Sequence, residues 1–423
     1  MLDLSLVRIQ KEQVITALEK RGIDAVSLVD NALMADKKRR GFQSTLDQKL
    51  ALANSLAKEI GELYKSGNSQ QANDKKEESI ALKAETKALQ TQLAEAETAL
   101  NELLYTIPNI PNPLVPDGQS EDDNKEVFRA GEVPALNENA LPHWELATKY
   151  DLINFELGNK ITGAGFPVYT GKGAKLQRAL ISFFLDQNTA AGYQEVQVPH
   201  LVNEQSGFGT GQLPDKEGQM YHVGADNLYL IPTAEVPITN LFRDEIINVN
   251  DLPIMRTGYT PCFRREAGSY GSHVRGLNRL HQFDKVEIVR LEHPDKAYQA
   301  LDLMVDHVKG ILEQLELPYR ILRLCGGDLG FTSALTYDFE IYSTAQKRWL
   351  EVSSVSNFES YQSTRLKLRF KDNDGNRKWV HTLNGSALAL PRIMAGLLEN
   401  HQSENGIHIP DALVSYTGFD MIR

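Results

Sequence analysis

The chain has 423 residues, with 45 Lys and Arg against 56 Asp and Glu, a formal charge of −11, and two cysteines. Such a length supplies core for two or three domains without covalent staples, and Cys262 and Cys325 are too few for a disulfide framework or a cysteine-rich zinc site. A reducing cytosol is the expected compartment; the acidic balance excludes a protein that coats nucleic acid by charge alone, and no signal-peptide core or membrane-spanning apolar run appears, so neither DNA nor a membrane is an expected partner.

Residues 1 to about 27 read as a short helical lead-in. From Ser27 to Leu104 there is no proline, and apolar residues recur at helical spacing. Phe42, Leu46, Leu50, Ala53, Leu56, Ile60 and Leu63 step by threes and fours; so do Leu82, Leu89, Leu93, Ala96, Leu100 and Leu103, with one sevenfold step. Between the two runs lies Lys65-Ser66-Gly67-Asn68-Ser69-Gln70, a turn. The expectation is an antiparallel helical hairpin, a coiled-coil arm whose helices of about 38 residues would each reach almost 60 Å. On pattern alone a dimerising coiled coil and a nucleic-acid-binding arm stand level. The basic groups Lys37-Lys38-Arg39-Arg40 and Lys75-Lys76 are interleaved with acids and are also compatible with a solvated face.

From Tyr105 the composition changes to Pro108, Pro111, Pro113 and Pro116 with an acidic Glu121-Asp122-Asp123, which reads as a linker. The predicted division is an arm over 1–104, a linker over 105–135 and a second domain over 136–423. That domain mixes a helix over Ala174–Ala191 with strands over Gln194–Val198, Asn227–Ile231, Leu350–Ser354 and Trp379–Leu383, so the fold class is α+β. The strand after Gly192 ends in Pro199, which belongs at a sheet edge or an interface.

Chemistry concentrates in Phe263-Arg264-Arg265-Glu266, a glycine-rich loop, and Arg279-Leu280-His281-Gln282-Phe283-Asp284-Lys285-Val286-Glu287. On a strand Arg279, Phe283 and Glu287 would share one face, roughly 13 Å apart in turn, which suits a ligand with an anion, an aromatic plate and an ammonium spread along it. Gly268, Gly271 and Gly276 suggest a hairpin that brings Arg264 and Glu266 alongside this row. The alternative is an exposed charged hairpin with Phe283 in the core. Thr233-Ala234-Glu235 sits at a strand end, as ligand contacts or as a helix cap with an acid in the first turn. Glu351-Val352-Ser353-Ser354 offers an acid and hydroxyls suited to Mg²⁺ beside phosphates. In Thr382-Leu383-Asn384-Gly385-Ser386-Ala387-Leu388-Ala389-Leu390-Pro391-Arg392 we read a strand, a glycine turn and a helix, with Arg392 favoured as a phosphate contact over a structural ion pair. Neither a P-loop nor a GxGxxG after a strand is present, so phosphates would be held by arginines and Mg²⁺.

Taken in order, these segments resemble the three signature motifs of class II aminoacyl-tRNA synthetases, and the arm followed by Thr-Ala-Glu, Phe-Arg-x-Glu-Ala-Gly, His-Gln-Phe-Asp-Lys-Val-Glu and Thr-Leu-Asn-Gly-Ser-Ala-Leu-Ala is similar to the seryl-tRNA synthetase family. The resemblance implies ATP and L-serine as substrates, Mg²⁺ as cofactor, and serine tRNA as acceptor, with selenocysteine tRNA a second acceptor it allows. It implies that Arg264 contacts the α-phosphate and the serine carboxylate. Glu266 would read the adenine amino group, and Phe283 would stack on adenine with Arg392 across it. Arg279 and Arg392 would hold the terminal phosphates, Glu351 and Ser354 the Mg²⁺. Thr233, Ala234, Glu235, Glu287, Asn384 and Ser386 would surround serine, without a division of its ammonium and hydroxyl between the two acids. Motif 1, including Pro199, would form a homodimer interface, and the arm of one subunit would grip the long variable arm of a tRNA bound at the other's active site. Arg265 stands where a small residue is expected and Pro391 where glycine is also familiar; Arg265 is expected to point away from Arg264. The two-cysteine count argues against the family's divergent zinc-dependent form.

Overall fold

The computed structural model describes residues 1–136, 140–215, 218–265 and 275–423. These fall into two compact units: one is Leu2–Glu19 with Ile23–Pro108, the other Asn109–Arg423 with Met1 and Lys20–Gly22.

The first unit is built on the helices Ala25–Lys65 and Ser69–Leu104, of 41 and 36 residues. The turn between them is Ser66–Asn68, as its Gly67 with φ +82° allows. Leu46 and Leu56 on one helix, and Leu82, Ala96 and Leu100 on the other, are buried along the seam. Two details differ from the sequence expectation. Leu50 is 39% exposed, because the seam passes instead through Lys49, whose ammonium meets Glu85 of the opposite helix at 2.7 Å. The sevenfold step between Leu82 and Leu89 is filled by Thr86, buried with its hydroxyl donating to Lys83 O at 3.0 Å, so an unbroken stripe was hidden by one polar residue.

The second unit centres on an eight-stranded sheet, ordered Lys125–Ala130, Tyr319–Arg323, Leu335–Ser343, Arg348–Glu359, His381–Ala389, Gln282–Glu292, Ile254–Phe263, Gln194–Glu195. All neighbours are antiparallel except the last pair. The stretch read as a linker therefore carries a strand that closes one edge of the sheet, and the short Gln194–Glu195 closes the other ahead of Pro199.

The helices Gly171–Ala190, Ala297–Gln314 and Leu390–Asn400 present apolar residues three and four apart, among them Leu176, Leu180, Phe183 and Phe184, or Leu301, Met304, Val308 and Ile311. These join Val286, Ile288, Val355, Leu383 and Ala387 of the sheet in one core. Each such side chain stabilises the fold by roughly 1.5–3 kcal/mol when fully buried. Because strand side chains alternate, the intervening Phe283, Lys285 and Glu287, Ser354 and Ser356, and Asn384 and Ser386 face the other way. Gly385 is not a turn: the strand His381–Ala389 runs straight through it, paired with Ile288 on one side and Val355 on the other, and the helix starts only at Leu390. Among the described residues no helix is long and apolar enough to cross a membrane.

Candidate active site

The polar side of the sheet, with the segments Pro232–Glu235 and Leu277–Leu280, encloses a cavity of about 590 Å³. Thr233, Glu235, Arg264, Arg279, Phe283, Glu287, Glu351, Val352, Ser353, Ser354, Asn384, Ser386 and Arg392 all contribute to its wall, although they span some 160 positions of sequence.

At the inner end two carboxylates are buried together. Glu287 accepts from Asn384 Nδ2 at 3.0 Å through Oε1, and from Thr233 Oγ1 at 3.1 Å and Lys285 Nζ at 2.5 Å through Oε2. Lys285 and Glu287 share a face of one strand, and both side chains are almost fully buried, so removing either charge would strand the other in the interior. Glu235 opens the helix Glu235–Asn240, whose N-cap is Ala234, and its N–H donates to Thr233 Oγ1 at 3.2 Å, so the Thr233 hydroxyl bridges that N–H and Glu287. Burial, and secondarily the nearby Glu287 charge, push the Glu235 carboxyl up to about 7, with Gln362, Lys285 and Arg264 pulling the other way. Ala234, between these two residues, faces the opposite side and packs with Val198, Ile238 and Val289; its methyl belongs to the core and not to the cavity wall.

Farther along the wall the Arg264 guanidinium lies 5.4 Å from the centroid of the Phe283 ring, leaving a flat aromatic surface beside a cation. Arg265 turns away toward Tyr221, 6.0 Å from that ring, as expected from alternation. Arg392, early in its helix, donates Nε to Asn278 O at 3.1 Å and Nη1 to Glu351 O at 2.8 Å, and pairs with the Glu351 carboxylate at 3.5 Å. Its ion pair and its place on the cavity wall coexist.

Arg279 does not lie on the pleat, since the strand begins at Gln282. It arrives from a turn whose Gly276 has φ +70° and whose Leu277 N–H is held by His143 Nε2 at 2.8 Å. Of the proposed row only Phe283 and Glu287 are strand neighbours on one face. Glu266, with Gly268 and Gly271, lies outside the described residues.

The metal question turns on Glu351 and Ser354. Among the described residues no group of three or more His, Cys, Asp or Glu could hold a metal ion by itself. The wall nevertheless offers hard oxygen donors. Glu351 and Ser354 line it, and behind Ser354, off the wall, the ladder partner Asp338 has a buried Oδ1 without a hydrogen-bond partner, its carboxyl held well above the usual range by burial and the Glu351 charge. A carboxylate, a hydroxyl and an excess of negative charge fit a divalent cation that takes its remaining ligands from phosphate oxygens.

Lys285 was missed from the sequence, although it lies between Phe283 and Glu287 on the same face; counting every second residue, not every fourth, would have found it. Gln362 and Asn278 carried no local signal, because long-range packing brings Asn278 to the wall and Gln362 to the buried side of Glu235.

The comparisons agree with this geometry along the whole chain. The seryl-tRNA synthetase N-terminal domain matches residues 1–111, and the class II tRNA synthetase core domain shared by the G, H, P, S and T enzymes matches residues 221–401. The serine–tRNA ligase of Salinibacter ruber is 50% identical over 424 residues, covering 100% of this chain and 99% of that protein, and the one from Akkermansia muciniphila is 46% identical over 432 residues with the same coverage. The crystal structure of seryl-tRNA synthetase from Pyrococcus horikoshii complexed with ATP superposes with a TM-score of 0.92 at 32% identity, over 100% of this chain and 99% of that one. An arm pattern, three motifs converging on one cavity and full-length likeness thus point the same way: the chain belongs to the seryl-tRNA synthetase family.

Proposed function

We propose that this chain activates L-serine with ATP and then transfers it to the terminal adenosine of serine tRNA, in the cytoplasm and as a homodimer joined through the segment containing Pro199. The observation that carries this reading is the single cavity in which the three arginines, the Phe283 plate and the buried acids Glu235 and Glu287 meet. Its layout matches adenosine, triphosphate and a small amino acid in series, and the Pyrococcus horikoshii relative bound to ATP supports the nucleotide.

In the first step an oxygen of the serine carboxylate attacks the α-phosphorus, and the bond from that phosphorus to the bridging oxygen breaks. Seryl-adenylate forms and pyrophosphate leaves with the electron pair. No protein nucleophile is needed; positioning and charge neutralisation supply the rate. Phe283 carries the adenine, and Glu266 reads its amino group. Arg264 holds the α-phosphate against the serine carboxylate, and Arg279 and Arg392 hold the outer phosphates, with Arg392 exchanging its Glu351 partner for an anion of higher charge. Glu351 and Ser354 would hold Mg²⁺, which supplies neutralisation of phosphate charge when bound, and Val352 and Ser353 between them contact ATP. Thr233, Glu235, Glu287, Asn384 and Ser386 enclose serine. Acceptors arranged for its hydroxyl are left unpaired by alanine, which is how alanine is rejected. In the second step a ribose hydroxyl of the tRNA attacks the activated carbonyl and AMP leaves. The arm over 1–104 grips the tRNA by backbone and shape.

Amino-acid-dependent exchange of labelled pyrophosphate into ATP tests the reading. Serine should support exchange; exchange with a different amino acid and none with serine would end it.

A further inference from the structure

The helix Tyr361–Leu366 carries Gln362, which belongs to none of the three motifs and is 1% exposed. Its Nε2 donates to Glu235 Oε1 at 2.6 Å and to Thr210 O at 3.2 Å, while its Oε1 accepts the Thr382 hydroxyl at 2.7 Å. Both amide hydrogens and the carbonyl are therefore engaged. The orientation is determined by chemistry, since a flipped amide would set its oxygen against a carboxylate and a backbone carbonyl, two acceptors. Thr210 and Thr382 are buried at 0% and 1% exposure, so neither anchor can move into solvent.

Glu235 shows the consequence. Its Oε1 is taken by Gln362, whereas no described residue hydrogen-bonds its Oε2, and the residue lines the cavity. Glu287 differs, because both its oxygens already accept from protein donors. Three charged groups face Glu235: Glu287 and Lys285 from the strand Gln282–Glu292, and Arg264 from the segment after Ile254–Phe263. Left free, its carboxylate would be drawn to one of the two cations and its open acceptor lost.

We propose that Gln362 is a positioning residue for amino-acid selection: its amide clamps one oxygen of Glu235, so that the other is presented to a proton-bearing group of the substrate amino acid. The inference rests on serine being that amino acid. A neutral amide suits the task better than a lysine or arginine. It orients the carboxylate through a short hydrogen bond without cancelling the negative charge that attracts the ammonium or hydroxyl of serine. The bond also favours the ionised form of a carboxyl that burial pushes up to about 7.

The test uses the full chain and serine-dependent pyrophosphate exchange. Gln362→Met keeps the side-chain volume and removes the donor. Serine KM should rise roughly 10-fold or more, ATP KM should change less than about 2-fold, and the pH at which serine kcat/KM reaches half its plateau should move upward. Thr382→Val, which releases only the anchor of the amide oxygen, should shift serine KM the same way by less. L-Alanine as a competitor separates the two groups Oε2 could receive. If its inhibition weakens together with serine binding, the ammonium is held; if only serine weakens, the hydroxyl is held. An unchanged serine KM and pH profile in Gln362→Met would overturn the clamp, as would serine and ATP KM rising together, the mark of a purely structural residue. If instead the unaltered chain gives no exchange with serine, the substrate assignment fails before the clamp is in question.

Discussion

In the helical pair, Lys49 meets Glu85 at 2.7 Å and Lys75 meets Glu59 at 3.2 Å, with all four side chains between 36% and 55% exposed. In the cavity wall, Lys285 meets Glu287 at 2.5 Å with the two side chains 7% and 1% exposed. The pairs are alike in distance and opposite in energetics. Water screens the first two and leaves little net interaction, whereas the third has lost its water and depends on geometry, so deleting one partner leaves an uncompensated charge. Charge in the arm is a surface property that tolerates change; charge in the wall is a fixed part of the site.

The largest test of that contrast removes the arm. Residues 40–94 lie between helical positions that face each other, as the Lys49–Glu85 and Glu59–Lys75 pairs indicate, so a short turn can replace them. Pyrophosphate exchange should survive within a few-fold while charging of serine tRNA disappears; equal loss of both would make the arm structural. Next is Lys285→Met, for which we expect serine kcat/KM to fall by about 10²-fold or more and stability by about 3 kcal/mol, read by exchange kinetics and urea unfolding. Phe283→Ala should raise ATP KM roughly 10-fold through lost stacking, with serine KM little changed, and an unaltered ATP KM would remove the ring as a platform.

A subtler effect concerns pH. Glu235 titrates at about 7 when folded against an ordinary 4.5, so as pH rises from 4.5 to 7 the unfolded chain sheds a proton that the folded chain keeps, and stability falls across that window. Glu235→Gln should therefore gain on the order of 2–3 kcal/mol over the natural residue at pH 8 but not at pH 4, by thermal unfolding, while losing serine-dependent exchange. Smallest of all, Lys49→Leu should change stability by less than about 1 kcal/mol, since it trades an exposed pair for a seam contact.

What could be read from the sequence follows the same division. A helix repeats its pattern every few residues, so the arm and its turn were visible locally, and the errors at Leu50 and Thr86 came from a polar side chain doing an apolar position's work. The catalytic strands were legible where alternation is local, as at Phe283 and Glu287. Arg279 was misplaced because a turn anchored by His143, more than a hundred residues earlier, ends the pleat at Gln282. Gln362 could not have been seen, since its partners Thr210, Glu235 and Thr382 come from three distant segments. Edge pairing hid the strand Lys125–Ala130 among prolines and acids, its residues almost all exposed.

Gly385 lies between two residues assigned to serine, Asn384 and Ser386, in the middle of the sheet. A Cβ there would come within 3.1 Å of Val355 Cγ2 and 3.5 Å of Ile288 Cγ1, closer on the Val355 side than packed carbons sit. Adding one methyl would require Val355 or the ribbon to give by a few tenths of an ångström, and any shift of the ribbon would carry the Asn384 amide and the Ser386 hydroxyl with it. If Asn384 and Ser386 enclose serine as proposed, an atom that is missing helps set how closely the pocket fits its guest.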